Sequence, residues 1–191
     1  QRSREITAWH EAGHALAALL LPEAADPEMV TIIPRGISGG ATWFGVDDET
    51  FMTGAQARTD IVVSLAGRAG EEILLDGDFT DGATGDIAKA TDLARRMVTR
   101  AGMSSLGLAA VSPEYAGSAL AEKVHAEVDG ILVDALARAR ALLAAHRPLL
   151  EVVVAELLAE ETIDLARMRA LRAAVEPGSG EIGAEAAVTQ G

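Results

Sequence analysis

The sequence predicts a mainly α-helical domain carrying a small β-sheet, an α+β arrangement that ends in a C-terminal helical bundle. Three observations predict it. Hydrophobic residues make up 49% of the 191 residues but aromatic residues only 3%, so the core must be built from Ala, Leu, Val and Ile, and the Ala and Leu content favours helix. Apolar residues recur at helical spacing over most of the chain. Only two short stretches, 29–33 and 41–46, are rich in β-branched or aromatic residues instead.

Residues 3–21 form the first predicted helix. Ser3 is its expected N-cap, Glu5 lies in the first turn where the helix dipole favours an anion, and Pro22 stops it. A loop over 22–28 leads to a strand, Met29-Val30-Thr31-Ile32-Ile33, closed by Pro34. Arg35 to Gly40 reads as a turn. Ala41 to Val46 reads as a second strand, with flanking glycines that suit a sheet edge. So small a sheet needs helices against it.

Thr53 is the expected N-cap of a helix reaching about Leu75, with Ile61, Val62, Leu65, Ala66, Ala69, Ile73 and Leu74 on one side. Gly67, Ala69 and Gly70 leave room for another helix to pack closely. A loop rich in Gly and Asp covers 76–85, and a third helix runs from Asp86 to Arg100. After an irregular stretch over 102–117, a long helix is expected from Ser118 to His146. Pro148 marks a break, a further helix reaches Glu160, and a short one spans Ile163 to Val175. The glycine-rich end from Pro177 to Gly191 reads as a disordered tail.

The formal net charge of −13 argues against a nucleic-acid partner and against adsorption to anionic lipid. No cysteine is present, so any zinc site must use His, Asp and Glu. The longest apolar run, Ala15 to Leu21, falls short of the ~20 residues of a membrane helix. The first residue is Gln1 rather than Met, which reads as a piece of a longer protein whose missing part could carry a membrane segment.

The stretch that carries chemistry is Trp9-His10-Glu11-Ala12-Gly13-His14. On a helix, His10 and His14 are four apart and project from one face, so two imidazoles can grip one zinc ion. Glu11 then stands beside the water that the metal activates and can take its proton. Gly13 costs about 1 kcal/mol of helix propensity and permits a close neighbour beside the site. Catalytic zinc takes a third protein ligand. His125 and His146 lie in the late helices without partners that mark a site and are expected to be solvated. The metzincin continuation fails, because Ala17 and Leu20 stand where it needs Gly and His. Carboxylates remain: Glu71 and Glu72 on the second helix, Asp86 at the start of the third, and Asp78 and Asp81 in the loop. Spacing alone leaves Glu71, Glu72 and Asp86 open.

Several blocks in one order resemble the peptidase domain of FtsH-type ATP-dependent zinc metalloproteases. They are Thr7-Ala8-Trp9-His10-Glu11-Ala12-Gly13-His14-Ala15, Val30 to Gly36, Leu65-Ala66-Gly67-Arg68-Ala69-Gly70-Glu71-Glu72-Ile73, Gly82 to Arg95, Met97-Val98-Thr99 and Glu161-Thr162-Ile163-Asp164. The similarity covers roughly residues 5–172. It implies a zincin-like helical peptidase fold, with Zn²⁺ held by His10, His14 and Asp86, and Glu11 as the catalytic base. Glu71 is implied to orient a ligand imidazole. The strand Gly40, Ala41, Thr42, Trp43 and Phe44 matches an edge strand where an extended peptide can pair. Around the third ligand the chain departs from the family pattern: Asp81 replaces the usual Thr, Gly85 the usual Asn, and the preceding loop is about one residue shorter.

The resemblance further implies a homo-hexamer fed with unfolded or membrane-extracted polypeptide by an AAA ATPase module, on the cytoplasmic side of a membrane. No GxxxxGK[ST] phosphate loop occurs here, so the ATPase must lie outside this chain. The expected organisation is a peptidase core over 1–116, a helical part of the same domain over 117–175 and a disordered tail over 176–191. Two other readings of the same residues are a non-hydrolytic adaptor or oligomerisation module, and a stand-alone peptidase working without ATP.

Overall fold

A computed structural model describes residues 1–34, 40–44, 51–111 and 119–177. Helix α1, Arg2–Leu20, runs through the middle of the molecule, and its residues Ala8, Trp9 and Ala12 to Ala18 are buried. It packs on α2, Gly54–Leu74, on one side and on α5, Arg147–Glu160, on another. Helix α3, Thr84–Thr99, and the long α4, Ala119–Ala145, cover α2, and α6, Leu165–Val175, lies against α5. The core is aliphatic: Leu16, Ile61, Val62, Leu143, Leu149, Leu150 and Leu157 are almost wholly excluded from solvent.

Small residues let the two central helices touch backbone to backbone. A Cβ on Gly13 would stand 2.3 Å from the Ala66 carbonyl oxygen, and one on Gly70 would stand 2.3 Å from that of Trp9. Only glycine admits this approach, so the propensity lost at Gly13 is offset by close packing. Thr53 caps α2 with the expected hydroxyl, in a full capping box: its Oγ1 accepts from Gln56 N while Gln56 Oε1 accepts from Thr53 N.

Among the described residues the sheet has three antiparallel strands in the order β2-β1-β3. They are β1, Pro27–Thr31, β2, Ala41–Phe44, and β3, Thr162–Asp164. Thus β1 starts two residues earlier than expected and stops at Thr31, and β2 stands at an edge. Gly45 and Val46 lie outside the described residues, as do Arg35 to Gly39, Ser118 and all of the tail beyond Pro177.

Two expectations are corrected. Ser3 lies inside α1 rather than capping it, and its carbonyl accepts from Thr7 Oγ1. The stretch beginning at Ile163 is not helical at its start but pairs with β1: Val30 faces Ile163 and Thr31 faces Thr162. Glu161 closes α5 in the left-handed conformation, φ 61°, which turns the chain directly into β3. Its carbonyl accepts from Ile32 N and Thr31 Oγ1, both at 2.9 Å. Asp164 then caps α6, accepting from Arg167 N at 2.8 Å. Among the described residues, no helix is long and apolar enough to cross a membrane.

Candidate metal centre

Helix α1 carries His10 and His14 on one face, one turn apart, as the spacing predicts. Their rings meet edge to face with centroids 4.7 Å apart. Both Nε2 atoms point at one spot and lie 3.0 Å from each other. Asp86, in the first turn of α3, brings Oδ2 to 3.2 Å from His10 Nε2 and 3.4 Å from His14 Nε2. Among the described residues, these three are the group of His, Asp or Glu whose donor atoms converge closely enough to hold a metal ion.

The other ring nitrogens are tied down. His14 Nδ1 donates to the Val63 carbonyl at 2.7 Å. That oxygen can only accept, so the proton is on Nδ1 and the Nε2 lone pair faces the cluster. His10 Nδ1 donates to Glu71 Oε1 at 2.7 Å, which turns Nε2 towards the cluster. Glu71 is 1% exposed, and its other oxygen accepts from both the main-chain N and the hydroxyl of Thr80, each at 2.8 Å. Thr80 Oγ1 in turn accepts from Gly82 N, capping the short 3-10 turn Asp81–Ala83 that leads into α3. One buried carboxylate therefore aligns a ring on α1 and also anchors the loop that delivers Asp86.

Two imidazole lone pairs and a carboxylate oxygen within 3.4 Å repel one another unless positive charge sits between them. A proton on His10 Nε2 is one such charge. Burial opposes charge on His10, but the Asp86 and Glu71 carboxylates and the nearby Glu11 outweigh it and raise its pKa to about 9. Burial likewise works against the charge of Asp86, yet its bonds to His10 and His14 hold it well below the usual carboxylate range. For Glu71, burial is again outweighed, by His10 and Thr80, and its pKa is lowered. The donor set also fits zinc in size. A tetrahedral ion with bonds of about 2.0–2.1 Å has ligand–ligand edges of roughly 3.3 Å, close to the spacings found here.

Glu11 follows His10 in sequence, is 7% exposed and lines the same cleft of about 1000 Å³ as the three donors. Its Oε2 accepts from Thr42 Oγ1 at 2.9 Å. Gly40, Ala41, Thr42 and Phe44 border that cleft too.

The candidates left open by spacing now separate. Asp86 joins the cluster and Glu71 stands behind His10. Glu72 turns away: its carboxylate receives Arg140 Nε at 2.6 Å, Arg140 Nη2 at 2.8 Å and Arg68 Nε at 3.1 Å, tying α4 to α2. Asp78 and Asp81 are exposed and outside the cluster. His125 is exposed, but His146 is not the solvated residue expected: it is half-buried at the start of α5, 2.6 Å from Glu176 Oε1. Sequence reasoning missed Thr80 and Val63. Thr80 carried a weak signal, a capping residue ahead of a helix. Val63 acts through its main chain, which no side-chain pattern discloses.

A buried His-Glu-x-x-His helix facing an acidic third donor across a cleft is the arrangement of a metallopeptidase. The sequence model of peptidase family M41 matches residues 1–171, and the chain belongs to that family. Over 189 residues it is 38% identical to the ATP-dependent zinc metalloprotease FtsH of Synechococcus sp. (strain JA-2-3B'a(2-13)), covering 90% of this chain and 30% of that protein. It is 38% identical to the FtsH of Rubrobacter xylanophilus, covering 90% of this chain and 29% of the relative. Against the ATP-dependent zinc metalloprotease YME1 homolog of Schistosoma mansoni it is 41% identical, covering 85% of this chain and 25% of the relative. The chain thus spans no more than about 30% of the length of these relatives.

Proposed function

We propose that this chain is a zinc endopeptidase unit that cleaves unfolded polypeptides. One observation carries the reading: two imidazole lone pairs and a carboxylate oxygen converge within 3.4 Å, each ring locked from behind, with a glutamate in the same cleft. His10, His14 and Asp86 would hold Zn²⁺. When bound, the ion supplies a Lewis acid that polarises water and the scissile carbonyl. Glu11 takes a proton from the attacking water as the new C–O bond forms, and returns it to the leaving nitrogen as the C–N bond breaks. Glu71 and the Val63 carbonyl keep the two rings in the tautomer that leaves Nε2 free.

Strand β2, with the run Gly40 to Phe44, offers an edge beside the cleft to which an extended substrate can add as a further strand. A folded domain cannot present its backbone there. The relatives are named ATP-dependent and are much longer than this chain, which supports an AAA ATPase module elsewhere in the parent as the source of unfolded substrate. The hexamer implied by the sequence resemblance belongs to the same reading.

The test is cleavage of casein by the zinc-loaded protein. Wild type should cut it, and Glu11→Gln should keep one equivalent of zinc while losing at least about 100-fold in kcat. Full zinc occupancy without cleavage rejects the peptidase reading, and full turnover by Glu11→Gln removes Glu11 from the mechanism.

A further inference from the structure

We propose that Thr42 is a positioning residue for Glu11, so that the edge strand offered to substrate also aims the catalytic carboxylate. The inference rests on the peptidase reading above and adds a residue to it. The Thr42 hydroxyl lies 2.9 Å from Glu11 Oε2 and 3.4 Å from the Glu11 main-chain oxygen. Its single proton goes to the nearer, charged acceptor. Glu11 Oε2 is thereby occupied, and Oε1, which has no hydrogen-bond partner among the described residues, is the oxygen left to exchange a proton with water.

A second contact holds the same side chain. A Cβ on Gly40 would stand 2.9 Å from Glu11 Cγ and 2.7 Å from the Thr31 carbonyl oxygen. Only a glycine lets the chain entering β2 press this closely on the glutamate stem. Glu11 is therefore gripped twice, at Cγ by Gly40 just before the strand and at its carboxylate by Thr42 within it.

The support behind that grip is the sheet. Thr42 faces Val30 in β1, and Val30 faces Ile163 in β3, so the three-stranded ladder sets where the hydroxyl stands. The metal donors are set differently, by the α1–α2 crossing and the loop before α3. Glu11 and both histidines share α1, but the group that orients the base comes from the sheet and those that orient the rings come from α2. An extended peptide added to β2 would order the strand that orients the base, linking substrate binding to base alignment.

The experiment compares zinc-loaded wild type, Thr42→Val, Thr42→Ser and Glu11→Gln on casein. Valine keeps the β-branched shape and replaces the hydroxyl with a methyl group that cannot donate. Losing one hydrogen bond to a charged group should lower kcat about tenfold with KM within about twofold, and serine should restore kcat to within about threefold of wild type. All variants should retain one equivalent of zinc. An independent readout is the carbon-13 resonance of the Glu11 carboxyl, assigned by its absence in Glu11→Gln: Thr42→Val should shift it and Thr42→Ser should not. Wild-type kcat in Thr42→Val, equal damage by valine and serine, a loss confined to KM, or an unmoved carboxyl resonance would each overturn the inference while leaving the peptidase reading intact. A wild-type protein that cleaves nothing removes both.

Discussion

Adding one methyl group at Gly67 should empty the metal centre without unfolding the protein. A Cβ there would lie 2.4 Å from His14 Nε2, 2.7 Å from His10 Nε2 and 2.8 Å from His10 Cε1. Ordinary contact begins near 3.4 Å, so the overlap with the two donor atoms is about 1 Å and about 0.7 Å. Neither ring can swing away freely, because each is held at Nδ1 by a 2.7 Å hydrogen bond. Helix α2 cannot simply withdraw either, since Gly13 and Gly70 place it in backbone contact with α1. Metal–ligand distances tolerate only about ±0.2 Å, so displacements of this size should cost at least about 100-fold in zinc affinity. Stability should change far less. Alanine gains about 1 kcal/mol of helix propensity, which opposes an overpacking cost of about 1–3 kcal/mol. The assay is chelator competition for zinc beside circular dichroism and urea unfolding, with Gly130→Ala as control. Gly130 lies in α4 with nothing within 4 Å of its added Cβ, so there the same change should stabilise by up to about 1 kcal/mol and leave zinc binding alone. Wild-type zinc affinity in Gly67→Ala would refute the reasoning.

Two more predictions concern the neighbouring glutamates. Glu71→Gln offers one oxygen where two carboxylate oxygens now serve His10 Nδ1 and both donors of Thr80, and turns an NH₂ towards a donor; zinc affinity should fall about 10–100-fold by chelator competition, and an unchanged value would show that Glu71 does not support the ligand ring. Glu72 has its pKa lowered from 4.5, by Arg140 above all and then Arg68, against its burial. A depressed carboxylate contributes stability that is full above its unfolded value and drains as pH falls through the folded one. Glu72→Gln should therefore unfold about 2 kcal/mol more easily in urea at pH 7. The gap should narrow below about pH 4.5 and close at more acidic pH; a gap independent of pH would mean that the pair with Arg140 contributes little.

Much of the site was legible because its signals are local. Residues 10, 11 and 14 fall on one helix by periodicity alone, and the Ala and Leu around them favour helix locally. Thr53 announces the start of α2 by its own hydroxyl. The failures share a cause. Strand β3 is three residues long and exists only because β1 lies alongside it, more than a hundred residues earlier in the chain, so the local pattern around Ile163 reads as helix. His146 reads as solvated because its partner, Glu176, is 30 residues away.

The three acidic candidates mark the boundary most sharply. By itself the sequence determined which residues could serve: a pair of imidazoles one turn apart, a glutamate between them, and a short set of carboxylates for the third position. Spacing could not rank Glu71, Glu72 and Asp86, which only the family resemblance separated, because consecutive residues on a helix leave it about 100° apart and only the packed neighbours decide what each direction meets. Tertiary structure shows where each carboxylate goes. The α1–α2 crossing turns Glu71 towards His10, Arg140 on α4 takes Glu72, and the Thr80 turn carries Asp86 across 76 residues of chain to the two rings. Helical spacing is written in neighbouring residues, whereas convergence depends on how whole elements pack.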